Sequence, residues 1–177
     1  MVRKIEKALF FMLIKIIYYI NMKKATRLQV YYYKKHGMKF NGEPRYISAK
    51  SLFDGTDYSL ITIGKGVTIS SFIRFLTHDW AMDTVHMAFL RCDQSKRPLG
   101  KIKGIYIGDY SFIGTNSVIM PGTRIGKGVI VGAGSVVRGD IPDFSIVIGN
   151  PAKIIGDSRE YTKKYLKKIG CEFEEFE

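Results

Sequence analysis

Proton-transfer chemistry in this sequence falls to three histidines, His36, His78 and His86. His36 lies in a lysine-rich segment and is expected at the surface. His78 stands in Leu76-Thr77-His78-Asp79-Trp80, where the residue types suit general-base work. An imidazole titrates near neutral pH, so it can take a proton from a hydroxyl group. Asp79 and Asp83 are nearby carboxylates able to orient it, and Asp79 is the first choice as catalytic partner, although its slot is normally inward and structural. Trp80 offers an apolar platform for a ring-shaped substrate, and His86 lies close enough in sequence to join it. The HxH, HExxH and paired CxxC patterns are absent, so no metal is expected. Cys92 and Cys171 are isolated and form no disulfide framework, as expected for a reducing, cytoplasmic compartment. The glycine-rich runs IGKG and VGAG are not followed by the lysine that a phosphate-binding loop needs.

The elements that position His78 are set by a repeat. Between Ile107 and Ile141 an aliphatic residue falls at Ile107, Ile113, Ile119, Ile125, Val131 and Val137, every sixth position. Four residues after each comes Ser111, Ser117, Thr123, Val129, Ser135 or Ile141, all compact or β-branched. A period of six fits a short strand plus a turn, repeated as a β-solenoid. Glycine follows the aliphatic at 108, 114, 126 and 132, whereas Met120 and Arg138 break the series 18 residues apart. Three hexapeptides therefore make one coil of a triangular prism. The phrase IGKGV at 63–67 recurs at 125–129, which puts Ile63, Ile69 and Phe75 on three sides of an earlier coil. Upstream, FNGEPR, YISAKS and LFDGTD are read as a ragged first coil starting at Phe40. The pattern vanishes over 81–106, an excursion from one corner; long loops in compact folds are usually functional or disordered, and the histidine at its base, His78, favours the functional reading.

Flanking the prism are two helical segments. Residues 3–20 carry a helical apolar stripe widened almost all round, and Lys24–Lys39 continues it to a stop near Gly37. Tyr161, Tyr165, Leu166 and Ile169 predict a short amphipathic C-terminal helix packed on the prism. The expected organisation is thus a basic helical extension (1–39), a β-helix (40–155, interrupted at 81–106) and a C-terminal helix and tail (156–177). Of the net charge of +12, the first 39 residues hold ten lysines and arginines against Glu6 alone, or +9. That concentration argues against a nucleic-acid groove. It fits first a helix that caps the solenoid end or packs in an oligomer, and second one that touches an anionic membrane surface; the two are compatible. The apolar run Ala8–Ile14 is too short to span a bilayer, and no signal-peptide cleavage pattern follows it.

The run from IGDYSF to NPAKII closely resembles the hexapeptide-repeat acyltransferases, over about residues 60–155. Its GAGSVV, DIP and GNPAK motifs resemble the branch containing sugar, galactoside, maltose and streptogramin O-acetyltransferases. LTHDW followed by a long loop looks most like the capsule and lipopolysaccharide O-acetyltransferases. The resemblance implies an all-β, left-handed parallel β-helix; the general rule for parallel crossovers favours the other hand. It also implies acetyl-CoA as cofactor, a homotrimer with sites between adjacent prisms, and a sugar or glycan acceptor. His78 alone occupies the place of the family's essential histidine. It would deprotonate the acceptor hydroxyl for direct attack on the thioester, with a backbone N–H holding the oxyanion. Positions matching the pantetheine wall are Phe112, Thr115, Ala133 and Gly134, and those near the coenzyme phosphates are Arg138 and Lys153. Where many relatives have Thr-Lys, this chain has Arg138-Gly139, shifting the charge by one residue.

The leading expectation is therefore a cytoplasmic O-acetyltransferase of surface-polysaccharide sugars, at the inner face of the membrane if residues 1–39 touch it. The alternatives on the same prism are N-acetylation of a nucleotide-linked amino sugar, a γ-type carbonic anhydrase needing three histidines between subunits, and a non-catalytic scaffold.

Overall fold

A computed structural model describes residues 2–54, 57–89 and 100–172 of the 177-residue chain. Helices α1 (Val2–Ile20) and α2 (Met22–Lys35) lead into a solenoid of short strands. The first coil is β1 (Lys39–Asn41), β2 (Tyr46–Ile47) and β3 (Leu52–Phe53); the second is β4 (Ile61–Gly64), β5 (Thr68–Ile69) and β6 (Arg74–Phe75). The chain then leaves the prism through β7 (His78–Asp79) and α3 (Ala81–Phe89) and returns through β8 (Lys101–Ile102). Residues 90–99 of the excursion, with Cys92, lie outside the described residues. The third coil is β9 (Ile105–Ile107), β10 (Phe112–Ile113) and β11 (Val118–Ile119); the fourth is β12 (Arg124–Ile125), β13 (Ile130–Val131) and β14 (Val136–Val137). β15 (Asp140–Ile141) and β16 (Ser145–Gly149) begin a fifth, which β17 (Ala152–Asp157) and α4 (Ser158–Lys168) close.

Parallel pairing from coil to coil produces three faces: β1-β4-β9-β12-β15, β2-β5-β10-β13-β16 with β17 added antiparallel, and β3-β6-β11-β14. Ile63, Ile69, Phe75, Ile107, Ile113, Ile119, Ile125, Val131 and Val137 are wholly buried along the axis. Their spacing puts like on like, so Ile107 pairs with Ile125 and Ile113 with Val131. The compact second slots have a distinct job. Ser111 Oγ donates to the Gly126 carbonyl (2.8 Å) and accepts from the Val129 N–H (3.1 Å), and Ser117 Oγ donates to the Gly132 carbonyl (3.1 Å). A short hydroxyl there satisfies turn backbone that the ladders leave unpaired.

The first coil departs from the expected phase. Ile47 and Phe53 point inward, while Leu52 is 56% exposed. Tyr46 and Leu52 head the hexapeptides read from sequence, but they face outward, because a one-residue shift in a strand turns every side chain to the other face. Phe53 pairs with Phe75, 22 residues on, against 18 in later coils. The extra length is spent at the corner holding the 3-10 turn Tyr58–Leu60.

Helix α2 covers the open edge of this coil, which would otherwise offer unpaired strand backbone. Gln29 Nε2 donates to the Ile47 carbonyl (2.9 Å), and the Ile47 N–H donates to Thr26 Oγ1 (3.3 Å). Val30, Tyr33 and Met38 plug the prism end, Tyr33 packing edge-on against Phe53 at 4.8 Å between ring centroids. α1 lies on α2 and the first coil through a cluster of Ile14, Ala25 and Ala49, and the Tyr18 and Tyr46 hydroxyls meet at 2.7 Å. Capping of the solenoid end is thus a physical role of the extension.

At the other end, α4 does not bury the stripe expected of it. Tyr161, Tyr165 and Ile169 are more than half exposed. The helix is held at its start instead: Ser158 donates to the Phe144 carbonyl (2.7 Å) through its N–H and to the Gly128 carbonyl (2.6 Å) through its hydroxyl. Its N-cap is Asp157, whose carboxylate takes the Arg159 N–H. The Arg159 guanidinium also bonds that carboxylate and lowers its pKa to about 2.

Candidate functional site

His78 follows the third-face strand β6 at the corner where the chain leaves the prism. Its Nδ1 bonds the Asp54 carboxylate, which follows β3 at the same corner one coil earlier. The same carboxylate oxygen accepts the Thr77 N–H (3.1 Å) and the Thr77 hydroxyl (2.7 Å). Asp54 is tied back by its own N–H to the Phe75 carbonyl (3.0 Å). With its side chain 8% exposed and three donors converging on one oxygen, Asp54 is a fixed acceptor. The bond sets the proton on Nδ1, which leaves Nε2 as the basic nitrogen, and the His78 side chain remains 35% exposed.

Asp79 does not fill the partner role that its position in sequence suggested. Its Oδ1 accepts the Ala81 N–H at 2.9 Å, at the start of α3. An aspartate placed just before a helix is drawn to that helix's free N–H groups. Asp83 sits in the first turn of the same helix. The Trp80 ring lies 6.0 Å from the His78 ring, tilted by 47°, and is 41% exposed. One part of it is covered by Gly100, where an added Cβ would overlap the indole. His86 lies in the last turn of α3, and its buried Nδ1 has no hydrogen-bond partner among the described residues.

The returning chain closes on this corner. β8 pairs antiparallel with β7, His78 opposite Ile102, and the Lys103 N–H donates to the Thr77 carbonyl (2.9 Å). The Lys103 side chain lies over Gly122, the equivalent slot one coil on, so the space that the glycine leaves is occupied by the excursion. Beside it, Leu60, Lys103, Tyr106 and Arg124 line a groove of about 410 Å³ on the first face. The Arg124 guanidinium stacks over Tyr106, 5.0 Å from its centroid.

The residues matched to the coenzyme wall sit elsewhere on the prism. Phe112 is on the outside of the second face, 43% exposed, and Thr115, Ala133 and Gly134 form the corner between the second and third faces. Thr115 and Ala133 occupy adjacent coils: the Gly134 N–H donates to the Thr115 carbonyl (2.8 Å), and the Thr115 hydroxyl donates to the Ser71 carbonyl (2.7 Å). A Cβ at Gly134 would meet nothing within 4 Å, so this corner is open for an extended ligand to lie along it. Arg138 and Lys153 are exposed, Arg138 on the same corner column as His78 and Lys153 on β17. One protomer therefore brings His78, Asp54 and Arg138 to one corner and the Phe112–Gly134 wall to another.

The chain is similar to several known proteins. A family model described as bacterial transferase hexapeptide (six repeats) matches residues 104–139. Protein CapG of Staphylococcus aureus is 40% identical over 134 residues, covering 76% of this chain and 74% of CapG. WbbJ of Escherichia coli K12, a putative lipopolysaccharide biosynthesis O-acetyl transferase, is 35% identical over 60% of this chain and 55% of its own. Among solved structures, the hexapeptide-repeat acetyltransferase VCA0836 of Vibrio cholerae superposes with a TM-score of 0.50 at 31% identity, over 62% of this chain and 56% of that one. A galactoside acetyltransferase in complex with coenzyme A gives 0.51 at 26%, over 64% and 52%. The chain thus spans about half the length of WbbJ and of these solved relatives. The prism is the left-handed parallel β-helix of these proteins, and the chain belongs to the hexapeptide-repeat acetyltransferase family.

Proposed function

We propose that the protein transfers an acetyl group from acetyl-CoA to a sugar hydroxyl, with His78 as general base and Asp54 as the residue that positions it. The observation that carries this reading is the Asp54–His78 bond at the corner from which α3 and β8 project. Support for the acceptor class comes from WbbJ, a putative lipopolysaccharide biosynthesis O-acetyl transferase, and from the galactoside acetyltransferase structure.

The open second corner suits the coenzyme's extended arm, with Phe112, Thr115, Ala133 and Gly134 as its wall and Arg138 and Lys153 for its phosphates. Acetyl-CoA supplies the acetyl group as a thioester carbonyl open to attack. His78 Nε2 takes the acceptor hydroxyl's proton as the new C–O bond forms, and returns it to the sulfur as the C–S bond breaks. Asp54 holds the ring and favours the transient imidazolium. Trp80 gives the sugar ring an apolar surface beside His78, and His86 stands on the helix that flanks it. Because the wall and His78 occupy different corners of one protomer, the complete site needs an adjacent prism, and a homotrimer provides it three times.

The test is acetyl transfer from radiolabelled acetyl-CoA to a panel of glycans by the intact protein and by His78→Ala. Loss of transfer by roughly 10²-fold or more, with coenzyme binding kept, is expected for a missing general base. Unchanged turnover in the variant would sink the proposal.

A further inference from the structure

Helix α1 is apolar on two sides, and the prism uses only one. Phe10, Ile14, Ile17 and Tyr18 pack towards α2 and the first coil. Leu9, Met12, Leu13, Ile16 and Ile20 recur at helical spacing on the other side and are 55%, 58%, 53%, 56% and 81% exposed. Isolated exposed hydrophobic residues are ordinary, but a continuous stripe along a helix marks a contact surface. We propose that this outer face of α1 lies in the interface of an anionic phospholipid bilayer, docking the N-terminal end of the prism on the membrane.

Charge selects this occupant. The first 39 residues carry +9. Lys23, Lys24 and Arg27, exposed at the start of α2 directly after the stripe ends, form no ion pair among the described residues. An apolar face bordered by unpaired cations complements acyl chains below a layer of anionic headgroups. A second copy laid parallel on the same stripe would set these cations against each other. No helix among the described residues is long and apolar enough to cross a membrane, so the contact is in-plane. The helix is also anchored from behind by Ile14 and by the Tyr18–Tyr46 hydroxyl pair, so it does not need to leave the prism to bind.

The full-length protein should sediment with vesicles of equal parts phosphatidylglycerol and phosphatidylcholine at least ten-fold more strongly than with phosphatidylcholine alone, and 0.5 M salt should weaken the binding. Leu13→Glu with Ile16→Glu should reduce binding to the anionic vesicles at least ten-fold, with the solution mass and the acetyl-transfer rate unchanged. Absence of vesicle binding by the natural sequence, or equal binding by the double variant, would overturn the proposal. So would a fall in solution mass in the double variant, because the stripe would then be an interface between copies of the chain.

Discussion

Asp54 and His78 are 24 residues apart in sequence and bonded in space, because the first coil is four residues longer than the later ones and both residues follow third-face strands. The carboxylate is shared with Thr77, so its removal has two separable consequences. Asp54→Asn keeps an acceptor oxygen for Thr77 but weakens the hold on His78 Nδ1. We expect kcat to fall at least about 10-fold, towards the ~10⁴ seen when the Ser-His-Asp triad loses its aspartate. KM for acetyl-CoA should hold. A variant whose KM rises while kcat is kept would show that Asp54 only shapes the binding surface.

The edge of the first coil gives a stability prediction. Gln29→Ala removes the 2.9 Å donor to the carbonyl of the wholly buried Ile47 and leaves it only the long 3.5 Å bond from the Thr26 hydroxyl. An unsatisfied buried backbone group costs about 1–3 kcal/mol. Urea denaturation should register that loss, and Gln29→Met, which removes the donor but keeps the side chain's length, should do no better. A midpoint unchanged in both variants would mean that α2 is not the cap of the edge strand.

Much of this architecture could be read from the residues. Ile107 to Ile141 keeps a strict coil of 18, so the inward set and the stacking of Thr115 with Ala133 follow from counting. The first coil resisted because its corner has extra residues and its strands carry an apolar residue on both faces, as in Leu52-Phe53 and Tyr46-Ile47. Without the coil length, Asp54 has no visible relation to His78, and the sequence-adjacent Asp79 draws the eye. The usable signal was local: Asp54 follows the inward Phe53 as Leu76 follows Phe75. The α4 stripe misled for another reason, because periodicity states which face is apolar and not whether anything covers it.

Two tyrosines at the capped end predict an alkaline limit to stability. Burial pushes Tyr46 up to about 12, and burial also raises Tyr33 well above its ordinary value. Folding therefore favours their protonated forms. That contribution is complete below pH about 10, where the unfolded groups titrate, and is lost as pH rises through the folded values. Tyr18 moves the other way, lowered chiefly by the hydroxyl of Tyr46. Absorbance at 295 nm should show these late ionisations coinciding with loss of α1 and α2, and Tyr46→Phe should move the Tyr18 transition upward. Complete ionisation near pH 10 in the folded protein would contradict the packing of both groups.

The corner between the first and second faces carries the last prediction. Tyr110 stands over Gly66, and Phe144 over Gly128, each aromatic residue and each glycine having a positive φ. The preceding aspartates repeat the arrangement: Asp109 accepts the Lys65 N–H and Asp143 the Lys127 N–H, both at 2.8 Å. Alanine at Gly66 would suffer twice, from its φ of +68° and from a Cβ 2.5 Å from the Tyr110 ring. The backbone strain alone is worth about 1–3 kcal/mol, and the overlap adds to it. Tyr110→Ala in the same chain should recover the overlap but not the strain, giving a coupling of about 0.5–3 kcal/mol in a double-mutant cycle. Strict additivity of the two changes would mean that the ring does not rest on the glycine, and the stacked-corner account of the repeated IGKG phrase would fail with it.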